Sequence, residues 1–209
     1  MTRARFLKIV VEVEGVSPLL MDAMSAEDVE RILIEKKRDP VQTDLTREQR
    51  CAKKFYRNPD TSVFGIPAEN FLAALRAAGR KVKVGKEKVS TADTTNLFSF
   101  LTVEEPFLDL VCQEWMPDVR RGVMKDGTTV GITRPRFSRW GFKATLDVDL
   151  DGMEGITEDT VKKLVRIAGN AIGLGAFRPT CNGPFGRFRV ATWELKEAVE
   201  EEEQLAEAA

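Results

Sequence analysis

The chain has 209 residues, of which 43% are hydrophobic, 32 are basic, 33 are acidic and none is histidine. This length is enough for one domain with a buried core. The absence of histidine excludes Ser–His and Cys–His triads and histidine-based metal sites. The three cysteines have no CxxC spacing and cannot all pair with one another, which predicts a reducing, cytoplasmic setting without zinc. No apolar run approaches the roughly 18 residues of a membrane span, so we expect no membrane partner.

The net charge of −1 hides an uneven distribution of charge along the chain. Residues 196–209 hold six glutamates and one lysine, so the remainder carries a net positive charge. That excess is concentrated in residues 31–60 and 114–143. We therefore expect residues 1–195 to form a single domain and residues 196–209 to form a solvated acidic tail.

The first half of the chain predicts a strand, two helices and an insertion. Residues 6–13 are rich in Val and Ile, which favours a strand. A helix is predicted over 25–37, because it begins at a serine suited to N-capping. Residues 41–63 are polar and basic and predict a partly helical insertion. A second helix is predicted over 67–79, with proline in its first turn, and the basic residues 80–88 then predict a loop.

The second half predicts mainly strands. Residues 97–112 have strand character, and residues 114–139 predict an inserted hairpin that turns at an Asp-Gly pair. Alternating residues over 140–150 predict another strand. A helix is predicted to begin at Thr157, because a threonine cap and an acidic first turn suit a helix N-terminus. Residues 185–195 predict the last strand.

Taken in order, the core elements are strand, helix, strand, strand, helix and strand. This order predicts an α+β, ferredoxin-like (βαββαβ) fold with a four-stranded antiparallel sheet. Both helices then cover one face of the sheet and leave the other face free for a ligand. The insertions fall at about 41–63 and 114–139.

The most informative segment is residues 172–190, which read IGLGAFRPTCNGPFGRFRV. Its glycines are Gly173, Gly175, Gly183 and Gly186; its arginines are Arg178, Arg187 and Arg189; it has no acidic residue. Glycine lets the backbone approach a ligand closely, and arginine presents forked donors suited to phosphate. We interpret the segment as a phosphate-binding loop. The alternative interpretation is a cluster of caps and turns.

A second basic segment lies in the predicted hairpin. It contains Arg120, Arg121, Lys125, Arg134, Arg136 and Arg139, followed by Trp140, with Phe137 between two of the arginines. Basic residues interleaved with aromatic ones suit single-stranded nucleic acid, because cations follow the phosphates while rings stack on bases. The alternative is a solvated hairpin whose aromatic residues belong to the core. Lys53, Lys54 and Arg57, around Phe55 and Tyr56, form a weaker candidate.

These motifs resemble the RAMP superfamily, the RNA-binding backbone proteins of CRISPR effector complexes, especially the Cas7-like branch. The resemblance is carried by Gly173-Leu174-Gly175, Arg178 and Gly183-Pro184-Phe185-Gly186-Arg187-Phe188, and by Ser17-Pro18-Leu19-Leu20 after the first strand. It implies a ferredoxin-like core, a glycine-rich loop at the RNA and a β-hairpin thumb at 114–139. Small phage and prophage proteins have a similar glycine-rich ending.

The function predicted from the sequence is non-catalytic binding of single-stranded RNA, by a subunit that repeats along the strand, with no cofactor and no metal. One alternative is a metal-dependent endoribonuclease, since Asp147, Asp149 and Asp151 share a strand face and Asp39 and Asp44 lie in the early insertion. For the first three, a solvent-exposed strand face is the simpler interpretation. The other alternative is a phage protein that binds single-stranded DNA or builds an assembly.

Overall fold

The computed structural model describes residues 4–24, 29–30, 33–34, 45–123 and 127–201. Within them the protein is an α+β structure of antiparallel sheets with few helices. In chain order the helices are α1 (Arg47–Ala52), α2 (Ala68–Gly79), α3 (Leu97–Phe100) and α4 (Glu158–Ile167). The strands are β1 (Ala4–Gly15), β2 (Leu19–Leu20), β3 (Gly65–Pro67), β4 (Lys83–Val84), β5 (Glu87–Lys88), β6 (Leu101–Val103), β7 (Phe107–Asp109), β8 (Met116–Val123), β9 (Thr129–Phe137), β10 (Gly141–Asp149) and β11 (Phe188–Glu201). No helix in these ranges has the length and apolar character to cross a membrane.

The main sheet has four strands in the order β11-β1-β10-β6, and each neighbouring pair is antiparallel. Along the chain its elements run β1, α2, β6, β10, α4, β11. The first strand is therefore internal and the last strand lies at an edge. Alternate residues of β1 are apolar and buried, and Ile9 lies opposite Leu146 while Val11 lies opposite Ala144 on β10.

The core forms where α2 and α4 pack on this sheet. Residues three and four apart on a helix share one face, and the apolar residues at this spacing are the buried ones. They are Phe71, Ala74, Leu75 and Ala78 on α2 and Val161, Leu164 and Val165 on α4. The ring of Phe71 meets that of Phe142 edge-on, with 5.3 Å between centroids. Burial of these side chains fixes both helices against the sheet.

A smaller sheet, in the order β2-β9-β8, holds the inserted hairpin against the core. Leu19 pairs with Phe137, and both are buried. Two further pairs, β3-β7 and β4-β5, complete the strand pairing of the described residues.

The long periodic elements agree with the sequence-based predictions. The strand predicted at 6–13 is β1, the strand at 140–150 is β10, and the helix at 67–79 is α2. Thr157 caps α4, because its side-chain oxygen accepts a hydrogen bond from the Thr160 amide at 3.3 Å. The last strand begins three residues later than predicted and extends to Glu201.

Two shorter predictions hold only in part. Strand character was predicted for residues 97–112, with a break at residues 104–106, and strands β6 and β7 lie on either side of that break. The first four residues instead form one helical turn, α3, because Leu97 and Phe100 are both buried at the spacing of a helix. Strand β7 pairs with β3 and not with the main sheet. Within the loop predicted over 80–88, residues 83–88 form the β4-β5 hairpin, and Gly85 has the positive φ of 57° that such a turn requires.

Several predictions fall wholly or partly outside the described residues. Most of the helix at 25–37, the start of the insertion at 41–63, and Lys125 and Asp126 of the hairpin turn are among them. Residues 202–209 of the acidic segment are also outside. Residues 196–201, expected to be a solvated tail, instead continue β11, and Glu197 lies opposite Lys8 of β1.

Candidate nucleic-acid interface

A cleft of about 500 Å³ separates α2 from the glycine-rich segment. One wall is formed by residues 172–176, Arg178 and Thr180. The opposite wall is formed by Asn70 and Arg76 of α2 and by Arg80, the residue that follows this helix. Asp22 and Tyr56 also line the cleft. The volume lies within the range of about 300–1,000 Å³ that is usual for ligand sites.

Positive charge dominates this cleft. Arg76, Arg80 and Arg178 line it, and Asp22 is the one carboxylate among the described residues that line it. That carboxylate contacts two further cations, Lys54 at 3.0 Å and Arg134 at 2.7 Å. The three lining arginines and the two cations paired with Asp22 outnumber this carboxylate, so the described part of the cleft has an excess of positive charge, which favours an anionic ligand.

The glycines of the loop are required by the chain's own backbone. Gly173, Gly175 and Gly186 have φ values of 77°, 72° and 69°, in the left-handed region. A Cβ atom at Gly175 would collide with the carbonyl oxygen of Leu20, and one at Gly186 would collide with that of Leu174. The close approach predicted from these glycines is therefore an approach of two chain segments to each other, as in the alternative interpretation of the loop as a turn cluster.

Backbone hydrogen bonds close the loop on itself and join it to residues 17–20. The amide of Leu174 donates to Gly186 O at 2.9 Å, the amide of Ala176 to Leu20 O at 2.8 Å, and that of Gly186 to Pro18 O at 2.8 Å. The loop therefore packs against residues 17–20. Both segments carry the resemblance to the RAMP superfamily described above. With these donors already used, the wall of the cleft offers a ligand mainly side-chain donors.

Arg178 both braces the loop and lines the cleft. Its Nη1 donates to Gly175 O at 2.9 Å, and its Nε donates to the Thr180 hydroxyl at 3.1 Å. These bonds leave Nη2 without a partner among the described residues. The guanidinium is thus held in place at the cleft with donor capacity remaining.

The predicted hairpin reaches the loop through Arg120. Its guanidinium lies over the Phe185 ring, 4.5 Å from the centroid. It also donates to Asp118, with 3.0 Å between Nη2 and Oδ2, and Arg136 lies 4.0 Å from the same carboxylate. The hydrogen bond to Asp118 raises the pKa of Arg120, so this side chain stays charged. Arg120 thus links the hairpin to the loop, whereas the contact of Arg136 with Asp118 joins the two strands of the hairpin.

The other predicted arginines differ in their surroundings. Arg134 pairs with Asp22, which lines the cleft. By contrast, Arg139 pairs with Glu114 at 3.0 Å, and Arg189 pairs with Glu14 at 2.8 Å. Arg121 donates to the Thr129 hydroxyl. Arg187 is exposed, and its side chain has no partner within the described residues. The structure thus brings Arg178, Arg134 and Arg120 to one region and places Arg139 and Arg189 in other ion pairs.

The aromatic residues predicted on the hairpin lie in the core. Trp140 is 2% exposed and its indole donates to Ser17 O at 2.7 Å, while Phe137 is fully buried. Neither ring has a face available to a base, as the core interpretation of these residues expected. Phe55 packs against Phe64 with 4.4 Å between centroids, but its neighbour Tyr56 lines the cleft.

Sequence reasoning missed three residues of this region. Arg76 and Arg80 come from α2 and its end, and their i, i+4 spacing places both on one helix side, a signal that was available. Phe177 has a φ of 51° and is 40% exposed, an uncommon combination for a bulky residue. No sequence pattern marks that conformation.

The described aspartates considered for metal binding, Asp147, Asp149 and Asp151, do not form a metal site. Asp147 lies 3.7 Å from Lys8, and Asp151 lies 3.8 Å from Arg5. A hydrogen bond from Lys8 to Glu104, together with the charge of Asp147, raises the pKa of that ammonium. Within the described residues no cluster of three or more acidic or cysteine side chains is arranged to hold a metal. Asp39 and Asp44 lie outside the described residues.

Comparisons with known proteins give no family assignment. No protein-family model matches the chain, and no curated protein matches it. Among solved structures, it is similar to a chain of the type III-B Cmr-beta complex bound to cognate target RNA, determined by cryo-electron microscopy. The TM-score is 0.49 at 14% sequence identity, over 91% of this chain and 61% of that chain. The protein thus spans about three fifths of the length of that neighbour.

Proposed function

We propose that this protein binds single-stranded RNA through its phosphate backbone, without catalysis, in the cleft between α2 and the glycine-rich loop. The observation that carries the proposal is the convergence of Arg76, Arg80 and Arg178 on this cleft. Asp22, the one lining carboxylate among the described residues, is in contact with two more cations. Guanidinium groups bind phosphate through charge-assisted hydrogen bonds, which are among the strongest in proteins.

Aromatic side chains at the same region complete a single-strand surface. Tyr56 lines the cleft, and the exposed ring of Phe177 stands on the loop beside Arg178. Bases of a single strand stack on such rings with little sequence preference. We therefore expect weak discrimination between RNA sequences and affinity that depends on salt.

The topology fits the class of protein that the sequence motifs resemble. The strand order β11-β1-β10-β6 and the chain order βαββαβ support the proposal of a ferredoxin-like core. The glycine-rich loop follows the last core helix, and the β8-β9 hairpin docks on it. On this basis we propose a backbone subunit of a CRISPR-type ribonucleoprotein or of a phage equivalent.

The test is titration of a labelled single-stranded RNA, followed by fluorescence anisotropy at several salt concentrations. The variant is Arg76→Ala/Arg80→Ala, and the matched control is Lys143→Ala/Lys196→Ala, which removes the same charge from exposed positions that do not line the cleft. Loss of the two arginines is expected to weaken binding about tenfold or more. It is also expected to flatten the dependence of log K on log[salt] by about 0.7 for each lost phosphate contact.

The control variant is expected to bind nearly as the wild type does. Equal affinities of the two variants, or an absence of RNA binding by the wild type, would overturn the proposal. Cleavage of the RNA that appears with Mg²⁺ and stops with EDTA would identify an endoribonuclease instead. Equal affinity for a matched DNA oligomer would remove RNA from the proposal, since the 2′-hydroxyl distinguishes the two.

A further inference from the structure

The short β4-β5 hairpin, which follows α2, is strongly basic. Residues 80–88 read RKVKVGKEK, with five basic residues and one acidic residue, and all of these charged side chains are exposed. Four of them, Lys81, Lys83, Lys86 and Lys88, form no ion pair with any described residue. We call these four side chains the lysine cluster.

The hairpin places two of these lysines directly opposite each other. Lys83 pairs with Lys88 in the register of β4 and β5. Opposite side chains of an antiparallel pair have their Cβ atoms about 4.5–5.5 Å apart, and like charges at that distance are destabilising. The free protein therefore carries a repulsive pair that a polyanion would neutralise.

The apolar side of the hairpin fixes it to the core. Val82, Val84 and Val89 are 1%, 9% and 0% exposed and belong to the main hydrophobic cluster. The amide of Val89 donates to Val82 O at 3.1 Å, which continues the pairing of the two strands. Because the valines are anchored, the lysine cluster is held on the outer side of a defined surface.

Arg80 connects this surface to the proposed RNA cleft. It lines the cleft, and its Nε donates to Thr91 O at 3.1 Å, so it braces the chain on both sides of the hairpin. Lys83 follows three residues later. Its backbone is therefore no more than about 11 Å from that of Arg80, close to the Debye length of about 10 Å at 0.1 M salt. The positive potential of the cleft thus continues onto the hairpin.

We propose that the lysine cluster binds the phosphates of a single-stranded RNA where the strand leaves the cleft past Arg80. This inference rests on the proposed function and extends its site from the cleft to the β4-β5 hairpin. An ammonium group is a point charge on a flexible stem, which suits a phosphate chain without fixed geometry. Residues 80–88 contain no aromatic residue, so the hairpin adds affinity without base preference.

The length of the RNA separates the hairpin from the cleft in a binding experiment. Fluorescence anisotropy is measured with oligouridylates of about 4 to about 16 nucleotides, the range of site sizes in single-strand-binding folds. We expect Lys83→Ala/Lys88→Ala to bind the shortest RNA as the wild type does and the longest about tenfold more weakly. For the longest RNA, the dependence of log K on log[salt] is expected to flatten by about 0.7 for each lost phosphate contact.

The matched control is Lys143→Ala/Lys196→Ala, which removes the same charge from exposed positions outside the cleft and the hairpin. It is expected to bind RNA of every length nearly as the wild type does. Equal affinities of the hairpin variant and the control for the longest RNA would overturn this inference and leave the cleft as the whole site. An equal loss for short and long RNA would also contradict it, because the lysines would then act within the cleft.

A charge reversal separates binding from a role in the fold. Lys88→Glu places a carboxylate opposite Lys83 and replaces a repulsive cross-strand pair with an attractive one. We expect its thermal midpoint to rise by about 1–3 °C while its affinity for the longest RNA falls by about tenfold or more. A lowered midpoint would show that Lys88 serves the fold and would count against the proposal.

Two further outcomes distinguish this inference from its alternatives. A hairpin variant that binds every RNA normally but, unlike the control, no longer binds polyglutamate would assign the lysine cluster to an acidic protein and overturn the proposal. An absence of RNA binding by the wild type at every length would remove the proposed function, and this inference with it. Failure of the hairpin variant alone to differ from the control removes only the inference.

Discussion

The guanidinium of Arg120 lies over the ring of Phe185, with 4.5 Å between Cζ and the ring centroid. Arg120 belongs to β8, whereas Phe185 belongs to the glycine-rich loop more than sixty residues later in the chain. Arg120 also donates to Asp118, whose side chain is 9% exposed. One side chain thus links the inserted hairpin to the loop that forms a wall of the proposed RNA cleft.

The first prediction concerns this link. Arg120→Ala removes the cation–π contact and two hydrogen bonds to a largely buried carboxylate, so we expect it to lower the free energy of unfolding by about 1–3 kcal/mol. Arg121→Ala is the control, because this neighbour is exposed and donates only to the Thr129 hydroxyl; we expect less than about 0.5 kcal/mol. Urea denaturation measures both. Similar values for the two variants would contradict the role assigned to Arg120.

The second prediction separates the glycines that the backbone requires from those that it does not. Gly186→Val places a branched side chain at a φ of 69°, where its Cβ collides with Leu174 O. We expect a loss of at least about 1–3 kcal/mol in the free energy of unfolding. Gly131→Ala in β9 is the control, because its Cβ would meet no atom within 4 Å. That change is expected to be neutral or slightly stabilising by urea denaturation.

The third prediction uses the conformation of Phe177. Its φ of 51° favours glycine, so Phe177→Gly is expected to be no less stable than Phe177→Ala, in spite of the greater freedom of glycine in the unfolded chain. Both variants lose the exposed ring and are expected to bind single-stranded RNA more weakly, by about 1–3 kcal/mol if the ring stacks on a base. Thermal melts and RNA titrations measure the two effects. Unchanged binding by both variants would exclude Phe177 from the RNA surface.

The fourth prediction compares two arginines of the glycine-rich segment. Arg187→Ala is expected to leave stability within about 0.5 kcal/mol, because its side chain has no partner among the described residues. Arg178→Ala is expected to cost about 1 kcal/mol, because Arg178 donates to Gly175 O and to Thr180. Both changes are expected to lower the affinity for RNA and to flatten the dependence of log K on log[salt]. Normal binding by the double variant would show that the loop has a structural role only.

The fifth prediction uses the cysteines as reporters. Cys181 is exposed in the loop beside Thr180 of the cleft, whereas burial raises the pKa of the Cys51 thiol and keeps it protonated. We expect a thiol reagent at mildly alkaline pH to modify Cys181 first and Cys51 only after unfolding. Saturating single-stranded RNA is expected to slow modification of Cys181. An unaffected rate at Cys181 would argue against RNA in this cleft.

The raised pKa of Cys51 also has a consequence for stability. The folded chain holds the thiol proton more tightly than the unfolded chain does, so this contribution is present below the ordinary pKa of the thiol and is lost as pH rises through the raised value. Cys51→Ala removes this dependence. We therefore expect the stability of the variant to fall less steeply at alkaline pH than that of the wild type, as measured by denaturation at several pH values.

Sequence periodicity was sufficient to predict the long elements that carry apolar residues on one face. Strands β1 and β10 and helices α2 and α4 each carry a run of apolar residues at the spacing of one face, and burial of that face fixes the element wherever it packs. The cap of Thr157 is equally local. Short elements such as α3 and the β4-β5 hairpin were missed, because a few residues carry too little periodicity to distinguish a helical turn, a strand and a loop.

The roles of individual residues were decided by contacts distant in sequence. The glycines of residues 172–190 were found from composition, but only the fold shows that Gly175 and Gly186 make room for the carbonyls of Leu20 and Leu174. The sequence supplied a basic segment, whereas tertiary packing divided its arginines between ion pairs and the cleft and buried Trp140. Arg76 enters the cleft because α2 packs beside the loop. Charge and local periodicity are properties of neighbouring residues, while the partner of a charge is set by whichever segment the folded chain brings against it.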